Sequence, residues 1–497
     1  MAEEAAQQQQ QAGAVETTEA SSFLNLLKGD IKTKTSEANE VVDDAVRIIA
    51  REALSNTSLI SQDAVKTIEA MIAAIDKKLT DQVNKIIHHE EFQALEGSWR
   101  GLHHLVSRTE TDEMMKIKVF NISKKELHKT LQKFSGASWD QSPIFKKIYR
   151  DGYSTWGADI FGSLVGDYHF DHSAPDVMIL REMSQIAAAS HAPFIAGADP
   201  GVMGLESWTQ LMDPKDIAAK FSGPEHAAWR SLRESDDSKY IGLTMPRFLA
   251  RAPYSAKENP VDEFDFEEEH EGGSHGHYCW ANAAYAMGAN INKAFKLYGW
   301  CTRIRGIESG GTVEGLATHA FKAEDGKTTM KCPTETAIDD RREAELSKAG
   351  FLPLVYKKNS DYAAFIGAQS LQKPTEYDNP DATASANLSA RLPYLFASCR
   401  FAHYLKCIVR DKIGSFKERA DMQRWLQNWV NQYVEPSPES ASEEQKALKP
   451  LAAAGVNVTE IEGNPGYYAA KFHLRPHYQL EGLKVSLSLV ARVPSGK

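Results

Sequence analysis

The densest set of potential metal ligands in the chain is His270, His275, His277 and Cys279, beside Asp262, Glu263 and Glu267 to Glu269. Imidazole, thiolate and carboxylate are the usual donors to transition metals, so this set could arm a metal-dependent hydrolase. Its spacing matches no established zinc pattern, however. The acidic, glycine-containing stretch Asn259 to Gly276 reads more simply as a solvated surface loop, and no metal site is expected there. His88-His89-Glu90-Glu91 resembles half of a metalloprotease helix, but the second histidine would fall where Phe92 and Gln93 stand. His103 and His104 come too late, and these histidines read as helix-surface and interface residues. No phosphate loop, no G-x-S-x-G and no usable G-x-G-x-x-G after a strand is found. Ser309-Gly310-Gly311 lacks a phosphate-binding partner and reads as a tight bend. Among 67 acidic residues no carboxylate pair is singled out by its surroundings. With neither a catalytic set nor a cofactor site, the chain reads as a structural or assembly protein and not as an enzyme.

Composition points the same way. A chain of 497 residues, 42% apolar and 25% charged, can bury two or three substantial cores. A net charge of -10 without a Lys/Arg-rich block argues against nucleic acid. No apolar run approaches the roughly eighteen residues of a membrane span. The first twenty residues lack the basic and apolar regions of a secretory signal. The 5 cysteines, Cys279, Cys301, Cys332, Cys399 and Cys407, show no CxxC spacing, which fits a reducing cytoplasm.

Residues 1–20 are Ala, Gln, Glu and Thr with little to bury and read as a disordered tail. Phe23, Leu24 and Leu27 then share one face of a short helix that Ser21 or Ser22 can cap and Gly29 can stop. Such an apolar island suits a groove on a partner or a site on its own domain equally well. Val42, Val46, Ile49 and Ala53 make an amphipathic helix. After Ser61, Val65, Ile68, Ile72, Ile75, Leu79 and Ile86 form a coiled-coil-like seam. It runs on into a helix with Phe92, Leu95, Trp99 and Leu102 on one side.

Strands are expected at Met114 to Asn121, Ile160 to Tyr168, Pro193 to Ala198, Arg303 to Val313 and Leu352 to Tyr356. Helices are expected at Asp176 to His191, Tyr278 to Tyr298, Ala337 to Lys348, Leu388 to Val409 and Phe416 to Val434. Residues 246–253 read as irregular, Pro374 to Ser385 as a polar linker, and Glu435 to Ala447 as polar and mobile. The chain closes on a ribbon. Tyr468, Phe472 and Leu474 in its first strand, and Leu483, Val485, Leu487 and Leu489 in its second, alternate with polar residues. Two strands alone are marginal in water, so the ribbon must join a larger sheet, in this chain or in another. The fold class is α+β with mixed α/β parts.

The helix HHEEFQALEGSWRGL (88–102) resembles the signature helix of the large subunit of the type VI secretion contractile sheath, the TssC or VipB family. The resemblance continues through FGSLVGDYHFDH (161–172), PFIAGADPGVMGLESW (193–208), YIGLTMPRFLARAPY (240–254), WANAAYAMGANI (280–291) and IRGIESGGTVEGL (304–316). It spans the chain from about residue 40 to the end. The His-rich stretch at 270–277 departs from it, in what looks like a variable loop.

What the resemblance implies is a structural subunit of phage-tail-sheath-like, multidomain fold. It would pair with a small sheath subunit and stack with neighbouring protomers around a hexameric inner-tube protein. The tube would rest on a baseplate in the bacterial cytoplasm, contract, and be recycled by an AAA+ unfoldase. No nucleic acid and no direct membrane insertion enter this scheme. Within it, Val65, Ile68, Ile72, Ile75 and Leu79 would meet the small subunit, and Phe23, Leu24 and Leu27 would be the unfoldase motif. The terminal strands would enter a sheet shared between protomers. The chain then divides into a tail (1–20), a motif and linker (21–40), a sheath core (41–373) and a C-terminal domain with the ribbon (374–497). The rival readings are a single-component phage-type sheath, which would lack a small partner, and the metal-dependent hydrolase. The motif reading has a direct test. Replacing Phe23 and Leu27 by Ser should spare assembly and abolish capture by the unfoldase's N-terminal domain; unchanged pull-down would make the island an ordinary docked helix.

Overall fold

Parallel strands covered on both faces appear in sequence as near-continuous apolar runs. FIAGA (194–198), IGLTM (241–245) and FLPL (351–354) are such runs, and they form the middle of the main sheet. The computed structural model describes residues 64–213, 216–270, 274–322, 326–412, 418–461, 468–477 and 479. The main sheet contains β1 (Leu164–Phe170), β2 (Phe194–Ala198), β3 (Ile241–Met245), β4 (Thr312–Val313), β5 (Phe351–Tyr356) and β6 (Ala363–Phe365). Its order is β1-β2-β3-β5-β6-β4, the first four strands parallel and β6 antiparallel to both of its neighbours.

Side-chain alternation divides the core in two. Phe194, Ala196, Ile241, Leu243 and Phe351 face a cluster that helix α4 (Ala174–Ser190) covers through Ile179, Leu180 and Met183. Ile195, Leu352 and Leu354 face a second cluster, closed by α5 (Ala283–Tyr298) and α7 (Leu392–Asp411). The helix ends follow local rules. Asn282 accepts the Ala284 N–H at the start of α5. Ser123 and Glu126 form a reciprocal capping box at the start of α3 (Lys124–Lys133).

The chain divides into two compact units, one from 1–93 with 252–278, the other from 94–251 with 279–497. In the first, α1 (Ala64–Ile87) is tied to the acidic loop. Asn84 donates to the Glu267 carbonyl at 3.1 Å and accepts from the Glu269 N–H at 3.0 Å. In the second, α2 (Glu90–Ser107), which belongs to it from residue 94 on, buries its small residues Gly97 and Gly101 with Leu105.

Several sequence expectations are met nearly residue for residue, notably α4, β2 and β5, while α5 and α6 (Asp340–Lys348) start five and three residues later than expected. Others need correction. Met114 to Asn121 is irregular, not a strand. Met115 is buried and Ile117 half-buried while Met114 and Val119 are exposed, so its alternation reports a side facing the core, and no strand of the described residues pairs with it. Only Thr312–Val313 of the expected strand at 303–313 forms, because the preceding segment turns back on itself at Gly310, φ 84. The linker at 374–385 contains the start of a helix, Pro380–Ser389, and the expected mobile stretch ends in a helix at Glu443–Leu448. The ribbon's first strand, β8 (Tyr468–Pro476), pairs antiparallel with an unexpected strand, β7 (Leu451–Glu460). The island at 21–29, the helix at 42–53 and the strand at 483–493 lie outside the described residues.

The close packing of α2 gives a stability test. A Cβ at Gly97 would run into the Trp280 carbonyl oxygen, and one at Gly101 into the Tyr285 ring. G97A should destabilise the chain by about 1–3 kcal/mol, read as a lowered melting temperature, whereas alanine at the exposed His103 of the same helix should leave it unchanged.

Candidate functional site

Three places merit a chemical reading: the histidine loop, the carboxyl edge of the parallel strands, and the surfaces left without cover.

In the histidine loop, a short turn at His275–His277 brings the His277 ring into parallel stacking with His88 at the end of α1, centroids 4.6 Å apart. His88 Nε2 lies 3.4 Å from a Glu268 oxygen, and the Glu268 carboxylate also accepts the Tyr254 N–H at 2.8 Å. Gln93 donates to the Gly276 carbonyl at 2.8 Å. These contacts fasten the loop to the end of α1 and the first turn of α2. Among the described residues no three His, Cys, Asp or Glu side chains are grouped so as to hold a metal ion. Cys279 is buried, and burial with the Glu96 charge pushes its thiol up to about 12, leaving it a weak nucleophile.

Open α/β sheets bind ligands beyond the carboxyl ends of their parallel strands. Here that edge is occupied by the chain's own ion pairs. After β1, Lys124 on α3 reaches Asp176 at 2.7 Å and the His169 carbonyl at 2.6 Å, while Asp176 also takes the Asp171 N–H. After β2, Asp199 turns back to accept the Gly201 N–H. After β3, Arg247 pairs with the buried Glu335 at 2.7 Å. Burial holds His169 below its usual range, with the Arg247 charge acting in the same sense, so it is neutral at pH 7. Nearby, Glu96 of α2 accepts from Arg251 at 2.6 Å and Arg100 at 2.7 Å. Burial would raise its carboxyl, but the two guanidiniums outweigh that and lower it. Each charge has a structural partner, and none of these groups is paired as nucleophile with base.

The uncovered surfaces are apolar. On α1, Met71 and Ile87 are buried, whereas Ile72 (52% exposed), Ile75, Leu79 and Ile86 form an open row. The structure thus brings three of the five expected interface residues onto one exposed face; the side chains of Val65 and Ile68 are not among those described. On α2 the expected side is the outer one, with Phe92, Leu95 and Trp99 (66%) exposed. Leu102 is the exception, half-buried against Leu105 and Tyr285.

The ribbon shows a division of edges. Gln427 on α8 (Arg419–Asn431) donates its amide to the Ala454 carbonyl at 3.1 Å and accepts the Val456 N–H at 2.9 Å. It does for the outer edge of β7 what another strand would do. The other edge of the sheet, along β8, has no partner strand among the described residues. Tyr468, Phe472 and Leu474 are half-buried against Trp429, Val456 and their neighbours, and Ala470, Lys471, His473 and Arg475 are exposed. The sequence reading missed β7 and Gln427. Val456 and Val458 alternating through small residues were the available signal.

Two family models match the chain. One, described as EvpB/VC_A0108, tail sheath N-terminal domain, covers residues 69–372. The other, the tail sheath gpW/gp25-like domain of the same family, covers residues 381–493. A Pseudomonas aeruginosa protein, type VI secretion system sheath protein TssC1, is 64% identical over 485 residues, 98% of this chain and 97% of that one. Two solved structures align loosely. The anti-feeding prophage baseplate gives a TM-score of 0.36 at 10% identity, over 64% of this chain and 67% of that one. The contracted helical sheath of the same particle gives 0.28 at 11%, over 63% and 66%.

The edge contact is testable. Q427A leaves Val456 N–H and Ala454 C=O without their partner. It should cost about 1 kcal/mol per lost hydrogen bond and promote self-association through the freed edge, both measurable by thermal unfolding and light scattering. An unchanged melting temperature and a monodisperse sample would show that water replaces the side chain at no cost.

Proposed function

The chain belongs to the VipB (EvpB/VC_A0108) tail sheath family, and from that premise we propose that it is the large subunit of a type VI secretion contractile sheath, with a structural and not a catalytic role. The observation that carries this reading is the 64% identity with a type VI secretion sheath protein along 98% of the chain. The carboxyl edge of its sheet, filled by Lys124–Asp176 and Arg247–Glu335, supports the absence of chemistry.

In this reading the open row Ile72, Ile75 and Leu79, together with Val65 and Ile68 earlier in the sequence, packs against a small sheath subunit. Burying such residues contributes about 25 cal/mol per Å² of apolar area, enough for a row of branched side chains to hold a partner helix. The heterodimers then stack through strands. The free edge of β8 accepts a strand from a neighbouring protomer, and Leu483, Val485, Leu487 and Leu489 supply further strand pairing. Phe23, Leu24 and Leu27 form the helix by which an AAA+ unfoldase recycles the contracted sheath. The inner-tube hexamers and the baseplate complete the assembly in the bacterial cytoplasm. The work of contraction resides in a metastable extended lattice. Strand linkages keep protomers joined while their bodies turn.

Co-expression with the small subunit tests the role. The pair should co-purify and yield long tubes by electron microscopy; a chain that polymerises alone would favour the single-component phage-type sheath. Truncation before Leu483 should leave the soluble pair intact and stop tubes from growing. Tubes of normal length from the truncated chain would overturn the shared-strand linkage.

A further inference from the structure

A second feature, independent of lattice strands, is a cavity of about 370 Å³ beside α7, lined from residues 113–118, 158–163, 291–301 and 396–407. All of these belong to one compact unit. Arg400 lines it. Its guanidinium lies over the rings of Phe295 and Tyr404, 4.9 and 4.6 Å from their centroids. Its Nε is buried without a hydrogen-bond partner, and no carboxylate of the described residues pairs with it. One turn along α7, His403 is 2% exposed and lines the same cavity. Its Nε2 is 2.9 Å from the Ser190 carbonyl, which can only accept, so Nε2 carries the hydrogen and the unpartnered Nδ1 is an acceptor. Burial, with the Arg400 charge, lowers His403 to about 4, which keeps that tautomer neutral at pH 7.

The rest of the lining has a polarity of its own. Lys116 and Lys118 share one carboxylate, Asp159, at 2.9 Å each. With Arg400, and with Glu113 as the other carboxylate, the lining holds three cations (Lys116, Lys118, Arg400) against two carboxylates (Glu113, Asp159), an excess of one positive charge in a chain whose net charge is -10. Met114, 70% exposed, lies at the same cavity and offers apolar surface beside the cations.

We propose that this cavity is a docking pocket for an acidic polypeptide segment, in which an Asp or Glu carboxylate pairs with Arg400 and an adjacent N–H donates to His403 Nδ1. Carboxylate matches the planar fork of guanidinium, which the two rings hold in place. The donor for His403 is what a peptide backbone brings and a bare dicarboxylate does not. An apolar neighbour of the acidic residue would rest on Met114.

Fluorescence anisotropy of the full-length chain with labelled N-acetyl-Leu-Glu-Leu-amide tests this. Saturable binding is expected, about tenfold weaker for the Leu-Gln-Leu analogue and for R400Q, with R400K intermediate. The K116Q/K118Q double variant, at exposed positions that do not threaten folding, should bind about two- to threefold more weakly. Melting curves for R400Q confirm that it folds. Equal binding of the Glu and Gln peptides, or full affinity in both R400Q and the lysine double variant, would overturn the pocket. Glutarate competing as well as the peptide would overturn the polypeptide assignment in favour of a free small anion.

Discussion

A strand cannot end in empty space: each backbone N–H and C=O along its edge must find a partner or remain in water. The C-terminal ribbon of this chain answers that requirement differently on its two sides. On the β7 side the Gln427 amide takes the place of a strand, and the aromatic set Trp300, Phe401, Trp429 and Tyr433 fixes the adjoining helices. On the β8 side the row of backbone groups has no partner strand among the described residues. Two-stranded ribbons are marginal alone, and here the missing support comes from helix packing on one face. The result is a rigid strand with one edge closed by a side chain and the other available. Backbone pairing along it would involve about eight bonds, an N–H and a C=O at each of about four alternate residues, worth roughly 4–12 kcal/mol net. That is strong enough to link subunits and weak enough to need several links together.

The same economy appears at the carboxyl edge of the parallel strands. Doubly wound sheets leave a crevice there because the helices diverge. In this chain Lys124, Asp176, Arg247 and Glu335 close on one another instead. Removing Lys124 or Arg247, which are 36% and 40% exposed, would leave a buried carboxylate short of a partner at roughly 1–3 kcal/mol after solvent screening, so the two carboxylates tie their cations in place. This explains why a search for reactive groups among 67 carboxylates singles out none. The conspicuous polar residues are conspicuous because they are buried and paired, not because they are reactive.

How much of this was legible in the sequence depends on the range of the interaction. Helix α4, with Pro175 at its start, and the apolar run of β2 were readable because their signals are local and agree with their burial. Met114 to Asn121 was misread because alternation tells which side faces a core and not whether another strand lies alongside. β7 was missed because Ala452 to Gly455 carry almost no side-chain signal, and its pairing with Tyr468 to Pro476 is set by a partner further along the chain. The contact of Gln427 with β7, and the meeting of Arg400 with Phe295, join residues that no spacing rule connects. The family resemblance was legible across most of the chain, since it rests on segments and not on contacts.

Helix α2 shows why surface and interior must be read together. An ordinary amphipathic helix turns its large apolar residues inward. Here the inward positions are Gly97 and Gly101, which let the helix approach the Trp280 carbonyl and the Tyr285 ring, and Leu95 and Trp99 are turned out. Replacing the glycines by larger residues would separate the helix from its support. Replacing Leu95 and Trp99 by polar residues would cost this chain little packing. Retaining a large indole at an exposed site has no advantage for an isolated subunit, since it adds apolar contact with water at about 25 cal/mol per Å². The arrangement is therefore better suited to a chain whose outer helical surfaces are covered on assembly, and the open row of Ile72, Ile75 and Leu79 on α1 follows the same logic.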